Sequence, residues 1–344
     1  MTALPSAVQA PPSAGELLDS CRVLVRPALT EAVGRLHPWV AEMAGYSFGW
    51  CEVGGAPAVA SGGKGVRQAL AVLGARAAGA DGRAGVPAAV AVELVHAFSL
   101  LHDDIMDGDA TRRRRPAVWK AYGTGPAVLA GDALFALAVE TLAAAPGGAG
   151  GLRLLSAALT DLVRGQADDL LFAARPCTGP ERVTPEEYRV MAEHKTGALL
   201  GCAAALGAAL GGAPEPAVAA LDRAGRHLGV AFQLVDDVLG IWGDPAVTGK
   251  PAGGDLRRRK KTFPVLAALD SPVAARRLPA LLDSPGREAE AADLIEAAGG
   301  RAAALAEAHR LTAEAHALLT RLSLAEDAVS GMLRLADHLA GRDL

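Results

Sequence analysis

The sequence predicts an all-α protein, and its composition carries most of that prediction. Only three of the 344 residues are isoleucine, aromatic residues make up 4%, and alanine and leucine dominate. The β-branched and aromatic side chains that a large sheet needs are therefore scarce. Hydrophobic residues at 51% against charged residues at 21% supply a sizeable core and exclude a disordered chain. The length alone would suggest roughly two domains at about 150 residues each. Helical periodicity runs almost throughout, however, with no long linker, so a single domain over 13–344 is expected after a disordered Pro/Ala tail at 1–12.

Ser13 and Glu16 form a capping box that starts the first helix. Breakers at 54–63, 79–87, 146–151, 176–184, 211–216, 243–254 and 284–286 divide the rest into about ten to twelve helices. The first apolar run to end in acid is ELVHAFSLLHDD, followed by four arginines at 112–115. Thr184, Pro185 and Glu187 combine an N-cap, a first-turn proline and an N3 glutamate, and the helix they open should carry Lys195 and Thr196. The longest uncharged stretch, 196–214, approaches a membrane span in length but is mostly Ala and Gly, and reads as a tightly packed interior helix. LGVAFQLVDD then repeats the acid-ended pattern, with basic residues again after it at 257–261.

A net charge of -4 argues against a nucleic-acid partner. Four cysteines without CxxC spacing indicate neither a disulfide framework nor a thiolate metal site and fit a reducing cytoplasm. The N-terminus has no basic segment followed by an apolar run and does not read as a signal peptide. The expectation is a cytoplasmic protein without stable membrane insertion.

The chemistry sits in the acidic clusters. Asp103 and Asp107 of DDIMD are spaced i, i+4, so a helix projects them from one face about 6 Å apart along its axis, with Asp104 about 100° round. Carboxylates presented this way suit Mg2+, which takes a few of them together with water and substrate phosphate. A solvated acidic helix end would read the same in isolation, but both clusters follow apolar runs. Carboxylates repel phosphates, so a site holding both needs divalent ions between them and cationic side chains around the outer oxygens. Acid clusters followed by basic stretches therefore suggest a diphosphate site.

The ordered motifs GGKGVR, ELVHAFSLLHDDIMD, RRRRP, GQADDL, HKTG, FQLVDD and GKPAGGDLRRRKKTFP, running from about Gly62 to Arg342, resemble the short-chain trans-isoprenyl diphosphate synthases, most closely the actinobacterial geranylgeranyl diphosphate synthase type. That resemblance implies a helical bundle around a deep central cavity, working as a homodimer. It implies that Lys64, Arg67, His96 and Arg113 hold isopentenyl diphosphate, and that Arg112, Lys195 and Lys250 clamp an allylic diphosphate, with Lys260 adding charge. Mg2+, as three ions with Mn2+ as a substitute, would be held by Asp103, Asp107 and Asp236, with Asp104 and Asp237 acting through water. Thr196 and Gln233 would face the carbocation. His102 would support the acidic helix, while Gln166 and Asp169 would lie near the site or serve as buried polar partners.

Two departures from the family pattern stand out. The second acidic motif reads DDVLG, with Gly240 where an aspartate is usual, and Asp244 is the nearest following carboxylate. Arg114 and Arg259 replace residues that are commonly glycine or, at 114, histidine. In the family, an aromatic five residues before the first aspartate but not four goes with a C20 product. Phe98 and Ser99 fit that pattern, making farnesyl diphosphate the alternative. A class I terpene cyclase is a more distant alternative, because it has no use for a second anion site. A non-catalytic subunit is opposed by the complete DDIMD and by Lys195, Thr196, Gln233 and Lys250.

Overall fold

The computed structural model describes residues 11–58, 63–244 and 253–341. The tail at 1–10, Gly62 and Lys250 lie outside the described residues. The regular structure of the described chain is helical, including a 3-10 turn at Gly82–Gly85, apart from one two-stranded ribbon and an isolated bridge. Its helices are α1 (Ala14–Gly34), α2 (Pro38–Ser47), α3 (Val66–Ala77), α4 (Val86–Met106), α5 (Val118–Tyr122), α6 (Thr124–Ala143), α7 (Gly148–Ala174), α8 (Pro185–Ala192), α9 (Ala198–Leu210) and α10 (Glu215–Trp242). They continue as α11 (Gly254–Arg257), α12 (Phe263–Ala268), α13 (Pro272–Leu282), α14 (Glu288–Ala297), α15 (Gly300–Thr320) and α16 (Glu326–Ala340). Twelve of these have ten or more residues. Of the other four, α8 is expected from its capping box, and α5, α11 and α12 are short turns of helix that the spacing of breakers does not resolve.

Both anticipated capping boxes are present: Ser13 with Glu16 at the start of α1, and Thr184 with Glu187 at the start of α8. Lys195 and Thr196 do not lie in α8 itself. A π turn, Glu193–Gly197, joins α8 to α9 and carries them. Such wide turns recur at functional sites because they rotate the side chains that follow out of α-helical register. The uncharged stretch becomes α9, buried from Ala198 through Ala208 and packed against α3, α4, α7 and α10. Two helices, Gly82–Met106 and Thr124–Ala143, are long and apolar enough to cross a membrane by length and composition, with 56% and 39% of the relevant window buried inside the fold.

The hydrophobic interior divides into two clusters. The larger is built by α1 to α7, α9, α16, the first half of α10, up to Leu228, and the last turns of α15, with Ala315 and Leu319. The second gathers Phe172, α8, the latter half of α10 from Val230 to Ile241, and α11 to α15. α10 and α15 thus serve both cores. The acidic end of α4 belongs to the first core and the acidic end of α10 to the second.

Candidate active site

Within helices that are otherwise buried, α4 carries half-buried His96, Phe98, Ser99 and Asp103, and α10 carries half-buried Phe232, Gln233 and Asp236. Partial exposure recurring at helical spacing is the pattern of a cleft lining. Across that cleft the π turn brings in Lys195, whose Nζ donates to Asp103 Oδ1 at 3.2 Å and to Asp169 Oδ2 at 2.6 Å. Burial disfavours the ammonium, but the two carboxylates outweigh it and raise its pKa. Asp169 therefore belongs to the site, while Gln166 Nε2 is buried without a partner among the described residues.

The arginine run forms a hairpin: Thr111–Arg112 pairs antiparallel with Arg115–Pro116, leaving Arg113 and Arg114 as the turn. Both turn residues have positive φ, 51° and 62°, as the central pair of a type I′ turn requires. That conformation is one that glycine adopts without strain and that costs a residue with a Cβ. The hairpin turns Arg112 back onto α4. Its Nε donates to Asp104 Oδ1 at 2.7 Å, its Nη2 reaches the same oxygen at 2.5 Å, and Nη2 lies 3.6 Å from Asp103 Oδ2. Asp104 is buried and held by that guanidinium. Asp107 faces Lys260, Nζ to Oδ2 3.4 Å, and burial pushes its carboxyl pKa up against that charge.

Arg113 leans the other way, toward the loop before α3. A Cβ on Gly63 would stand 2.7 Å from Arg113 Nη2, so the absence of a side chain there gives the guanidinium room for this approach. Arg22 Nη2 reaches the carbonyls of Gly63 and Lys64 at 3.4 Å each. Arg67 Nη1 lies 3.3 Å from His96 Nε2, while Arg67 Nε is buried without a partner among the described residues. Loss of hydration, then the charges of Arg67, Arg113 and Arg112, hold His96 well below the usual imidazole range, so it is neutral near pH 7. Arg67, His96 and Arg113 thus gather at one basic corner beside the loop that carries exposed Lys64, and the Arg67 guanidinium nitrogen that has no partner among the described residues fits an anionic ligand. Buried Glu93, one turn before His96, opposes the burial that lowers Arg67. It was missed in the sequence, although its i, i+3 spacing from His96 puts it on the same face.

On α10, Asp237 is buried, and its oxygens accept from Tyr188 Oη at 2.6 Å, Gln233 Nε2 at 3.1 Å and the Phe263 amide at 3.1 Å. With its lone pairs engaged by neutral donors, it orients its surroundings. Gln233 Oε1 accepts from Thr196 Oγ1 at 3.0 Å, which links α10 to the π turn. Asp236 is close enough to Arg67 to favour its charge. Asp244 is exposed beyond the end of α10. Tyr188 carries no sequence signal, because it reaches Asp237 only through tertiary packing.

Among the described residues no three acidic or histidine side chains converge closely enough to hold a metal by themselves. The donors are all oxygen, and Asp103 and Asp107 share a helix face. That set fits Mg2+, which completes its octahedron with water and substrate oxygens. Phe98, one turn deeper, packs against His102 (ring centroids 4.9 Å apart) and Phe135 of α6 (5.6 Å). His102 Nε2 lies 3.2 Å from the Val128 carbonyl, tying α4 to α6.

A family model described as polyprenyl synthetase matches residues 55–298. The (2E,6E)-farnesyl diphosphate synthase of Mycobacterium tuberculosis is 43% identical over 337 residues, covering 95% of this chain and 92% of that protein. The geranylgeranyl diphosphate synthase of the same organism is 46% identical over 293 residues, covering 83% and 82%. A polyprenyl synthetase crystal structure from Streptomyces coelicolor A3(2) matches with a TM-score of 0.88 at 46% identity, over 94% of this chain and 98% of that one.

Proposed function

The chain belongs to the polyprenyl synthetase family, and from that premise we propose that it elongates an allylic diphosphate to geranylgeranyl diphosphate. At the coarser level it is a prenyltransferase that condenses isopentenyl diphosphate with allylic diphosphates. The carrying observation is the pairing of two separate cation-bearing groups with one acidic cleft: Arg67 and Arg113 beside neutral His96 on one side, next to the loop that bears Lys64, and Arg112, Lys195 and Lys260 on the other.

In this reading the first group anchors isopentenyl diphosphate. Arg112, Lys195 and Lys260 hold the allylic diphosphate, joined by Lys250, which lies outside the described residues. Prenyl synthases are generally Mg2+-dependent, and Asp103, Asp107 and Asp236 would hold three ions, with Mn2+ able to replace them. Bound Mg2+ would stabilise the charge that develops on the leaving diphosphate. Departure of diphosphate leaves a delocalised carbocation. The isopentenyl double bond attacks it, and the proton lost to restore an alkene passes to the released diphosphate. Gln233 keeps its carbonyl, and Thr196 its hydroxyl, beside that cation because the two are hydrogen-bonded to each other. Water must be kept out, since it would trap the cation as an alcohol.

Chain length rests on the floor of the cleft. Of the two positions five and four residues before Asp103, 98 is aromatic and 99 is the small Ser99, which favours C20. The 43%-identical farnesyl relative, which covers more of the chain, favours C15 as the second reading. A homodimer completes the proposal. Val128, Leu129 and Phe135 on α6 and Val163, Leu170 and Leu171 on α7 are exposed large apolar side chains that a second copy would bury. The four cysteines are free thiols, in keeping with a cytoplasmic location.

The test is to incubate the pure protein with Mg2+, isopentenyl diphosphate and, separately, dimethylallyl, geranyl or farnesyl diphosphate, with products resolved by chromatography. Accumulation of C20 is expected. An end product of C15 overturns the chain-length reading, and a cyclised product from one diphosphate overturns condensation itself. Phe98→Ala should lengthen the product, and an unchanged distribution would assign the floor to another side chain.

A further inference from the structure

We propose that Asp255 delivers the third carboxylate of the second acidic helix end, entering the space that Gly240 leaves open. On an α-helix, position 240 stands i+4 from Asp236 and shares its face. It therefore repeats the relation of Asp107 to Asp103 at the end of α4. A Cβ built on Gly240 would overlap Asp255 Oδ2 and lie 2.8 Å from its Cγ, so any side chain at 240 would have to displace that carboxylate. The glycine and the aspartate are thus complementary in volume, with one missing atom filled by the other residue's carboxylate.

The backbone sets this up. Chain returning from beyond α10 is pinned to it by the Gly253 amide, which donates to the Ile241 carbonyl at 3.1 Å. Gly253 adopts φ of 70°, and α11 then opens with Asp255 as its second residue. The Asp255 carbonyl also accepts from the Lys260 amide at 2.9 Å, and Lys260 is the residue whose ammonium faces Asp107. Arg258 joins the same arrangement. It approaches Asp255 Oδ1 at 3.5 Å and Asp109, just past the first acidic motif, at 2.7 Å. The Asp255 side chain is 17% exposed, and its charge reaches both Asp237 and Tyr188, so it stands within the second acidic end. Asp244 does not take this place, because it lies exposed past the end of α10.

The proposal rests on the reading of the cleft as an Mg2+-diphosphate site, with Asp255 acting as a positioning carboxylate for the ion held at Asp236. It predicts that the acid can be moved back. The experiment titrates Mn2+ into the full-length protein with inorganic pyrophosphate present, following bound metal by electron paramagnetic resonance, alongside the Mg2+ dependence of kcat. Asp255→Asn should weaken metal binding about tenfold or more, the range seen when a group supporting a metal ligand is lost. Gly240→Ala should do the same without touching the carboxylate, by pushing it out of place. The double variant Gly240→Asp/Asp255→Ala should recover binding to within about threefold. Wild-type metal affinity in Asp255→Asn, or failure of the double variant to improve on Asp255→Ala, overturns the proposal. Asp103→Asn, run in parallel, separates this from the parent reading: if that variant also binds metal and pyrophosphate normally, the site assignment itself is wrong.

Discussion

The ends of α4 and α10 carry similar acidic pairs, yet they are held in opposite ways. On α4, Asp103, Asp104 and Asp107 are matched by Lys195, Arg112 and Lys260, the first and last of these from distant parts of the chain and Arg112 from the hairpin that follows α4. On α10, Asp237 is buried among the neutral donors of Tyr188, Gln233 and the Phe263 amide. Charge pairs at a partly exposed cleft exchange partners at low cost, because water and incoming anions can replace them. A buried carboxylate satisfied by fixed dipoles does not move, since each donor it lost would leave an unmet desolvation penalty. The first end is built to trade its cations for ligands, and the second to hold its geometry.

Breaking the first end should therefore cost activity and spare the fold. Asp103→Asn is expected to lower kcat about 100- to 1,000-fold, the scale on which a single electrostatic stabiliser acts. Its denaturant midpoint should stay near wild type, because the partners Lys195 and Arg112 keep Asp169 and Asp104. A large loss of stability would show that the α4 end is structural after all. The second end should behave in reverse. Tyr188→Phe removes one donor from a buried carboxylate and should destabilise by about 1–3 kcal/mol in urea unfolding, with a much smaller change in kcat. Unchanged stability would mean that Asp237 does not depend on this bond.

The depressed pKa of His96 sharpens the comparison through pH. Its folded-state value lies below the unfolded value near 6.5, so below that pH the unfolded chain takes up a proton that the folded protein refuses. Stability should then fall as pH drops from about 6.5 toward the folded value, by at most about 1.4 kcal/mol per pH unit from this group. His96→Asn should flatten that part of the slope in unfolding measured between pH 5 and 8; an identical slope would place the effect elsewhere. The smallest effect concerns the hairpin that aims Arg112. Arg114 is exposed at φ of 62°, and Arg114→Gly should stabilise by about 1 kcal/mol or less, read as a rise in thermal midpoint, with activity unchanged. A drop in activity would mean that this arginine touches substrate.

Several features of this arrangement were legible in the residues themselves. The i, i+4 aspartates, both capping boxes and the buried Ala/Gly helix depend on neighbours within a turn or two, and the structure contains each of them. The π turn under Lys195 was not legible, because the helix that follows it is apolar on every face and offers no periodicity in which a shift of register could show. Nor was the arginine hairpin, whose turn holds neither glycine nor asparagine. Tyr188 and Asp255 were hidden for another reason: each reaches α10 from a separate element, across 49 residues in the case of Tyr188.

The sequence by itself determined the helices, the acidic and basic runs and the family, since local propensity, capping and ordered motifs are short-range properties of the chain. Tertiary structure alone decided which carboxylate meets which cation. The pairs Lys195 with Asp103 and Lys260 with Asp107 span 92 and 153 residues. Such contacts exist only once the two hydrophobic cores have met along α10, because Coulomb and hydrogen-bond energies depend on distances that no local pattern encodes.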